Sequence, residues 1–356
     1  MCLLLMNAFL YQQKRSLLRR KRGKKEKKLA ILVKPKTKFV TAKEGLLLLL
    51  PVSGLLIALG LHLSLPTVYP DYYVPVYYRC VLAAILVLYV VVAGISCFSA
   101  KLRWRVMRLA PWLFVLALVF ELLDILTLKT GIMTLPFMPS PDLTMKAYVN
   151  YWQDMAANLT DSLIRLAIGL AIGGATGFIS GLLMGWSKVW DYWMAPILRF
   201  IGPLPSAAWV PIAVSIMPTP RVAGIFLISI AMWFPMTLML SSGIKATPKQ
   251  LIEVMRVQGA SEFFILWHVA LPSATNTIFT GIFMGLSSSF SALLVAETMG
   301  VKAGLGWYIN FSTSWSDYGR VFAIVGIFIV LFYLLISICF KVRDHVMKWQ
   351  KGIVKW

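Results

Sequence analysis

The chain has 356 residues, 59% of them hydrophobic and only 14% charged, a balance that excludes an ordinary soluble domain. Several apolar runs reach roughly 20 residues without the alternation of barrel strands, which points to membrane-crossing helices. The net charge of +21 is read as the Lys and Arg of cytoplasmic loops and not as a nucleic-acid footprint.

In chain order, the apolar stretch 2–10 is short and followed by positive charge, so no cleavable signal is expected. Residues 11–43 form a basic segment around KRGKKEKK, expected in the cytoplasm and against anionic lipid. No aromatic residues interleave with its charges between Lys14 and Lys38, which argues against nucleic acid as a partner. Eight spans are expected, near 45–64, 81–100, 110–128, 160–185, 195–216, 222–243, 276–297 and 321–341. The fold class is therefore all-α, a polytopic transmembrane helix bundle of about eight spans. With the amino terminus inside, 28 Lys and Arg fall on the cytoplasmic side and 6 outside, with Arg165 inside a span. Both termini are then cytoplasmic. The outer loop 65–79 is rich in Tyr and Pro, as suits a membrane–water boundary. Segment 131–156 joins a turn-forming LPFMPSPD to an amphipathic stretch that should lie along the outer interface.

Several features in the spans carry packing or path information. Gly169, Gly173, Gly177, Gly181 and Gly185 recur every fourth residue and put a glycine stripe on one helical face, where another backbone can approach closely. Asp161 and Arg165, four apart at the outer end of the same span, are placed to pair. Pro196, Pro203, Pro205 and Pro211 should break the fifth span, which is tolerated at membrane depth where the chain lines a cavity or is buried in protein. In the seventh span Ser287, Ser288 and Ser291, with Glu297 at its end, are candidates for a substrate path. Trp209 and Trp233 are candidate apolar walls, and helix-to-helix serine contacts are the alternative.

The cytoplasmic loop 244–275 reads IKATPKQLIEVMRVQGASEFFILWHVALPSAT. Thr247-Pro248 starts a short amphipathic helix, Gly259 permits a turn, and a second helix begins near Ser261 and runs to Leu271-Pro272. This helical hairpin resembles the signature loop of bacterial ABC importer permeases: Glu-Ala-Ala, three residues, Gly, nine residues, Ile, one residue, Leu-Pro. The matching positions are Glu253-Val254-Met255, Gly259, Val269 and Leu271-Pro272. The spacing is kept, while two alanines and the isoleucine are other apolar residues. The resemblance implies that Glu253, Val254, Met255, Gly259, Ala260, Ser261, Leu271 and Pro272 belong to a coupling element that docks into an ATPase subunit.

Flanking sequences are similar to the nitrate/sulfonate/taurine group of these permeases. They are Pro139-Ser140-Pro141, the glycine-rich fourth span, Gly202-Pro203-Leu204-Pro205, Phe234-Pro235, Ala296-Glu297 and Gly304-Leu305-Gly306. Ile216-Met217-Pro218 stands where a Trp-Phe-Gly would be expected. The similarity covers about 110–345, so the chain divides into a basic segment (1–43), two additional helices (44–109), a six-span permease core (110–345) and a basic tail (346–356). It implies an inner-membrane importer working with two ABC ATPase subunits, a second identical or homologous permease, and an extracytoplasmic solute-binding protein. Nitrate, sulfonates, taurine, bicarbonate and vitamin precursors are the implied substrates.

No GxxxxGK[ST] loop is present, so ATP and Mg are expected on the partner ATPase and no cofactor on this chain. The chain is expected to be a non-catalytic transport subunit. Cys2, Cys80, Cys97 and Cys339 show no paired spacing, the three histidines are dispersed, and no metal site is expected. An ion-coupled secondary transporter and a membrane scaffold are the rival readings; the first should show repeats and midplane carboxylates.

Overall fold

The structure is a computed structural model that describes residues 42–68, 75–202 and 204–348. Most of the basic amino-terminal segment, the centre of the Tyr- and Pro-rich loop, Pro203 and the end of the basic tail lie outside the described residues. Among the described residues the regular structure is helical: α1 (Ala42–Ser64), α2 (Tyr77–Phe98), α3 (Ala100–Asp124), α4 (Pro141–Asn150), α5 (Trp152–Trp186), α6 (Lys188–Ile201), α7 (Val210–Ile216), α8 (Pro220–Lys245), α9 (Lys249–Val257), α10 (Glu262–Ile265), α11 (Thr275–Thr298), α12 (Leu305–Ser314) and α13 (Tyr318–Val346). Seven of them (α1, α2, α3, α5, α8, α11 and α13) are long and apolar enough to cross a membrane.

The chain forms two compact units, residues 1–145 and 146–356, with the division inside α4. In the first, α1, α2 and α3 pack through Leu55, Ala58, Tyr78, Leu82 and Ala117, and through Leu48, Tyr89, Val106 and Met107. The helix expected to open the permease core at 110 thus begins at Ala100 and packs with the two preceding helices. Arg103 is fully buried at one end of this unit, with its Nε 3.5 Å from Glu44. The other end carries His62 Nδ1 against Asp124 Oδ2 at 2.8 Å.

The second unit is organised around α8. The glycine stripe of α5 lies against it: Gly169 meets Ile228, Gly173 meets Ser229 and Met232, Gly177 meets Trp233 and Met236, Gly181 meets Thr237 and Leu240, and Gly185 meets Ile244. Contacts advance together along both helices, so α5 and α8 run parallel. Only glycine allows this approach, because a Cβ on Gly181 would stand 2.9 Å from the Thr237 carbonyl oxygen. Lipid tails give apolar helices no reason to leave them, so close backbone packing and interhelical hydrogen bonds hold the pair. The Thr237 hydroxyl lies 2.7 Å from that of Ser180, and the Ser229 hydroxyl reaches the Gly169 carbonyl at 3.2 Å. On its other side α8 packs antiparallel to α11, where Gly243 faces Thr277, Gly281 faces Pro235 and Met239, and Gly285 faces Met232.

Parallel neighbours require the chain between them to return across the bundle. That return is the fifth expected span, and it is not one helix: α6 ends at Ile201, a single 3-10 turn occupies Ser206–Trp209, and α7 follows. Pro205 and Pro211 flank the turn, and each lacks the backbone donor a continuous helix would need there. Seven long helices and this interrupted crossing make eight spans.

Candidate functional site

Three places in the second unit gather the residues singled out by sequence. The first is the hairpin. α9 buries none of its nine residues, and Leu251, Val254 and Val257 are exposed, the last by 89%. Gly259 holds φ at +81°, a left-handed turn conformation that glycine adopts freely. Ser261 then caps α10 by accepting a bond from the Phe264 amide at 3.3 Å. Arg256 bridges the turn to Glu262 through two bonds of 2.8 and 3.1 Å, and this carboxylate holds the guanidinium above its ordinary pKa.

The two ends of the hairpin are differently placed. Glu253, Val254, Gly259 and Ser261 are exposed, while Met255 and Ala260 are half-buried. Leu271 packs against Leu240, Ile244, Leu266, Ala270 and Ala274. Thr247 and Ser273 close the neck, their hydroxyls 2.7 Å apart. The second arm does not stop at Pro272: α10 continues through a wide π-turn at Leu266–Ala270 and the single turn Leu271–Ser273 toward α11. Beneath α9 lies a cavity of about 400 Å3 lined by charged groups, among them Lys188, Asp191, Lys245 and Glu253.

The second place is a cavity of about 410 Å3 at the break between α6 and α7. Gly202, Leu204, Pro205, Ser206 and Trp209 form one wall, Phe234 and Pro235 of α8 another, and Met284, Ser288 and Ser291 of α11 a third. The Trp209 indole N–H is buried without a partner. Trp209, Ser288 and Ser291 therefore meet, whereas Trp233, Ser287 and Glu297 do not line this space. Ser287 bonds its own helix at the Phe283 carbonyl, and the fully buried Ser289 donates to Ile228 of α8 at 3.1 Å. The serine run thus divides between helix packing and the cavity.

The third place corrects the sequence reading. Arg165 does not pair with Asp161; its Nη1 bonds the Glu297 carboxylate across the bundle. Both side chains are nearly free of solvent, so Glu297 is enclosed within the bundle and faces no open cavity in this structure. Ser162 donates to the same carboxylate at 2.8 Å. The first turn of α12 closes the cluster. The Gly304 amide donates to Asn158 Oδ1 at 2.9 Å, Leu305 to Ser162 Oγ at 2.8 Å and Gly306 to Glu297 Oε2 at 2.9 Å. These are the amides a helix start leaves without internal partners. Gly304, at φ +117°, brings its backbone against the carboxylate where a Cβ would collide.

Sequence reasoning missed one grouping in the first unit. His62, Glu121 and Asp124 are all buried and offer ligand atoms within 4.8 Å of one another. The available signal was positional: the assigned topology puts His62 and both carboxylates at the same end of their spans.

Stacked membrane helices around an interrupted, cavity-lining crossing, with an exposed hairpin at one end, define a multi-pass α-helical permease. Residues 163–346 match the family described as binding-protein-dependent transport system inner membrane component, and the chain belongs to that family. It is a multi-pass inner-membrane protein of the ABC permease class. The aliphatic sulfonates transport permease protein SsuC of Bacillus subtilis, whose name marks the assignment as provisional, is 30% identical over 62% of this chain and 81% of its own length. The taurine transport system permease protein TauC of Escherichia coli is 29% identical over 52% of this chain and 66% of its own. The bicarbonate transport system permease protein CmpB of Synechocystis is 30% identical over 52% and 62%. These last two are thus covered over less than two thirds of their length. Among solved structures, a chain of the MetNI methionine ABC transporter matches at 18% identity and a TM-score of 0.46, over 57% of this chain and 97% of that one. Helices α1–α3 lie outside residues 163–346, the part that matches the family.

Proposed function

We propose that this chain is the membrane subunit of an ATP-driven importer, coupled to a separate ATPase through the loop 244–275. The observation that carries the coupling role is α9: an amphipathic helix whose apolar residues Leu251, Val254 and Val257 face solvent is a surface built for a partner. Two ATPase subunits, a second permease and an extracytoplasmic solute-binding protein complete the assembly, with both termini of this chain in the cytoplasm. ATP and Mg belong to the ATPase. ATP binding closes the ATPase pair, the hairpins move with it, and differential contact with the two ATPase states biases the bundle between inward and outward openings. The neck clamp of Thr247 and Ser273 and the anchored Leu271 transmit that motion into α8 and α11.

The cavity of about 410 Å3 is the translocation path of one subunit, with Trp209, Ser288 and Ser291 as its polar and aromatic lining. Its hydroxyls and free indole N–H offer hydrogen bonds without a fixed charge, which suits passage better than tight retention. The substrate is a small solute of the kind its relatives are named for: a sulfonate, taurine, bicarbonate or nitrate, with vitamin precursors a further class.

Gly259→Val tests the coupling role. Nothing lies within 4 Å of a Cβ built on Gly259, so the substitution leaves internal packing alone and strains only the φ of +81° and the docking face. The variant should insert and bind its solute-binding protein normally, yet lose stimulated ATP hydrolysis and uptake in reconstituted vesicles. Full coupled transport by the variant would refute the assignment of this loop.

A further inference from the structure

Helices α1 and α3 bring three titratable side chains together at one end of the amino-terminal unit. His62 stands in the last turn of α1, and Glu121 and Asp124 lie one turn apart at the end of α3. Tyr78, in the first turn of α2, packs its ring edge-on to His62 with centroids 5.3 Å apart. His62 is 3% exposed, Glu121 1% and Asp124 0%.

Most of the ligand capacity of this cluster is idle. Asp124 Oδ2 meets His62 Nδ1 at 2.8 Å, but Asp124 Oδ1 and both Glu121 oxygens close no hydrogen bond. The Tyr78 phenol is near enough to Glu121 to interact with it, yet its hydroxyl also closes no bond of ordinary geometry. Lys129 directs its ammonium to the carbonyls of His62 and Leu65, at 2.8 Å each, and so ties α1 to the end of α3 instead of pairing with a carboxylate. Asp124 has its direct partner in His62, whereas Glu121 feels Lys129 and His62 only through space and makes no ion pair, so its oxygens remain open to a cation.

We propose that His62, Glu121 and Asp124 bind a first-row divalent cation of the zinc type, with Tyr78 at the edge of the site and water completing four-coordination. An imidazole nitrogen with two carboxylate oxygens is a donor set such cations accept. At bond lengths of about 2.0–2.2 Å, tetrahedral ligands stand about 3.3–3.6 Å apart. The observed separations, up to 4.8 Å, close to that by about 1 Å of side-chain rotation as His62 exchanges its bond to Asp124 for one to the metal. The cation then ties α1 to α3 and neutralises the carboxylates. The cluster is at the opposite end of α3 from Lys101, Arg103, Arg105 and Arg108, so on the charge-based topology it loads from outside the cytoplasm.

The test uses the full-length protein without a polyhistidine tag, purified in detergent, stripped with chelator and dialysed against Zn2+. About one Zn2+ per chain should be retained. Co2+ in its place should give the absorption of a four-coordinate nitrogen/oxygen site, without the thiolate charge-transfer band that binding at Cys80 or Cys97 would produce. Glu121→Gln and His62→Gln should each weaken Zn2+ binding by at least about tenfold, and Tyr78→Phe by less. Glu253→Gln, on α9, should leave it unchanged. A wild-type protein that retains no Zn2+, or equal affinity in the Glu121→Gln and His62→Gln variants, overturns the proposal and leaves a proton-sharing cluster. Should those variants fail to purify, the wild-type Co2+ spectrum decides: a thiolate band or a six-coordinate spectrum overturns it equally.

Discussion

Gly173→Ala and Gly174→Ala place the same methyl group on adjacent residues of α5 and should give opposite results. A Cβ on Gly173 would overlap the Ser229 carbonyl oxygen and stand 2.9 Å from both the Ser229 carbonyl carbon and Met232 Cβ. Carbon atoms pack best at about 3.5–4.0 Å, so α8 would have to retreat by about 0.5–1 Å. Overpacking of this kind costs about 1–3 kcal/mol. The Ser229 hydroxyl bond to the Gly169 carbonyl, already 3.2 Å, would lengthen with it. Replacing a helical glycine by alanine returns up to about 1 kcal/mol, leaving a net loss of up to about 2 kcal/mol. On Gly174 the new methyl meets only Met232 Cε at 3.7 Å, an ordinary contact. The helix-propensity gain then stands alone, and the variant should match or exceed the wild type by up to about 1 kcal/mol. Reversible unfolding in mixed micelles, followed by tryptophan fluorescence, measures both. Equal stability of the two variants, or a larger loss at Gly174, would show that the stripe does not set the α5–α8 distance.

Glu297→Ala leaves Arg165 buried without its counter-charge and should destabilise the second unit by about 3–5 kcal/mol in the same assay, whereas Asp161→Ala should be mild; the reverse order would restore the pairing expected from sequence. Ser288→Trp should fill the cavity beside Trp209 and abolish solute uptake while permease and ATPase still co-purify; undiminished uptake would place the path elsewhere. A cysteine at Ile132, which is 71% exposed, should react with an impermeant thiol reagent in sealed cells and one at Lys249 should not, with native cysteines removed; the opposite pattern would invert the topology.

The spans, the hairpin and the break in the fifth span were legible because each depends on local chemistry. Long apolar runs partition into lipid wherever they lie in the chain, Pro205 and Pro211 withhold backbone donors at the break although Pro196, expected to break the same span, is carried inside α6, and Gly259 marks a turn because its φ requirement is its own. The glycine stripe showed which face of α5 is tightly packed but not which helix packs on it. Both α8 and α11 are apolar and glycine-containing, so the periodicity of one helix carries no information about its partner.

Charge partners were the least legible. Asp161 and Arg165 share a helical face by spacing, but Arg165 reaches the buried Glu297 of α11 and the Ala303 carbonyl instead of the neighbour one turn away. His62 and Asp124 are 62 residues apart and meet only because α1 and α3 pack side by side. The sequence by itself determined the membrane-crossing helices and the interrupted crossing, since these follow from transfer to lipid and from backbone geometry residue by residue, but not every helix end, as the start of α3 at Ala100 shows. Which faces meet, which serines line a cavity and which carboxylates share a site were decided by tertiary structure, because they depend on atoms brought together from distant helices.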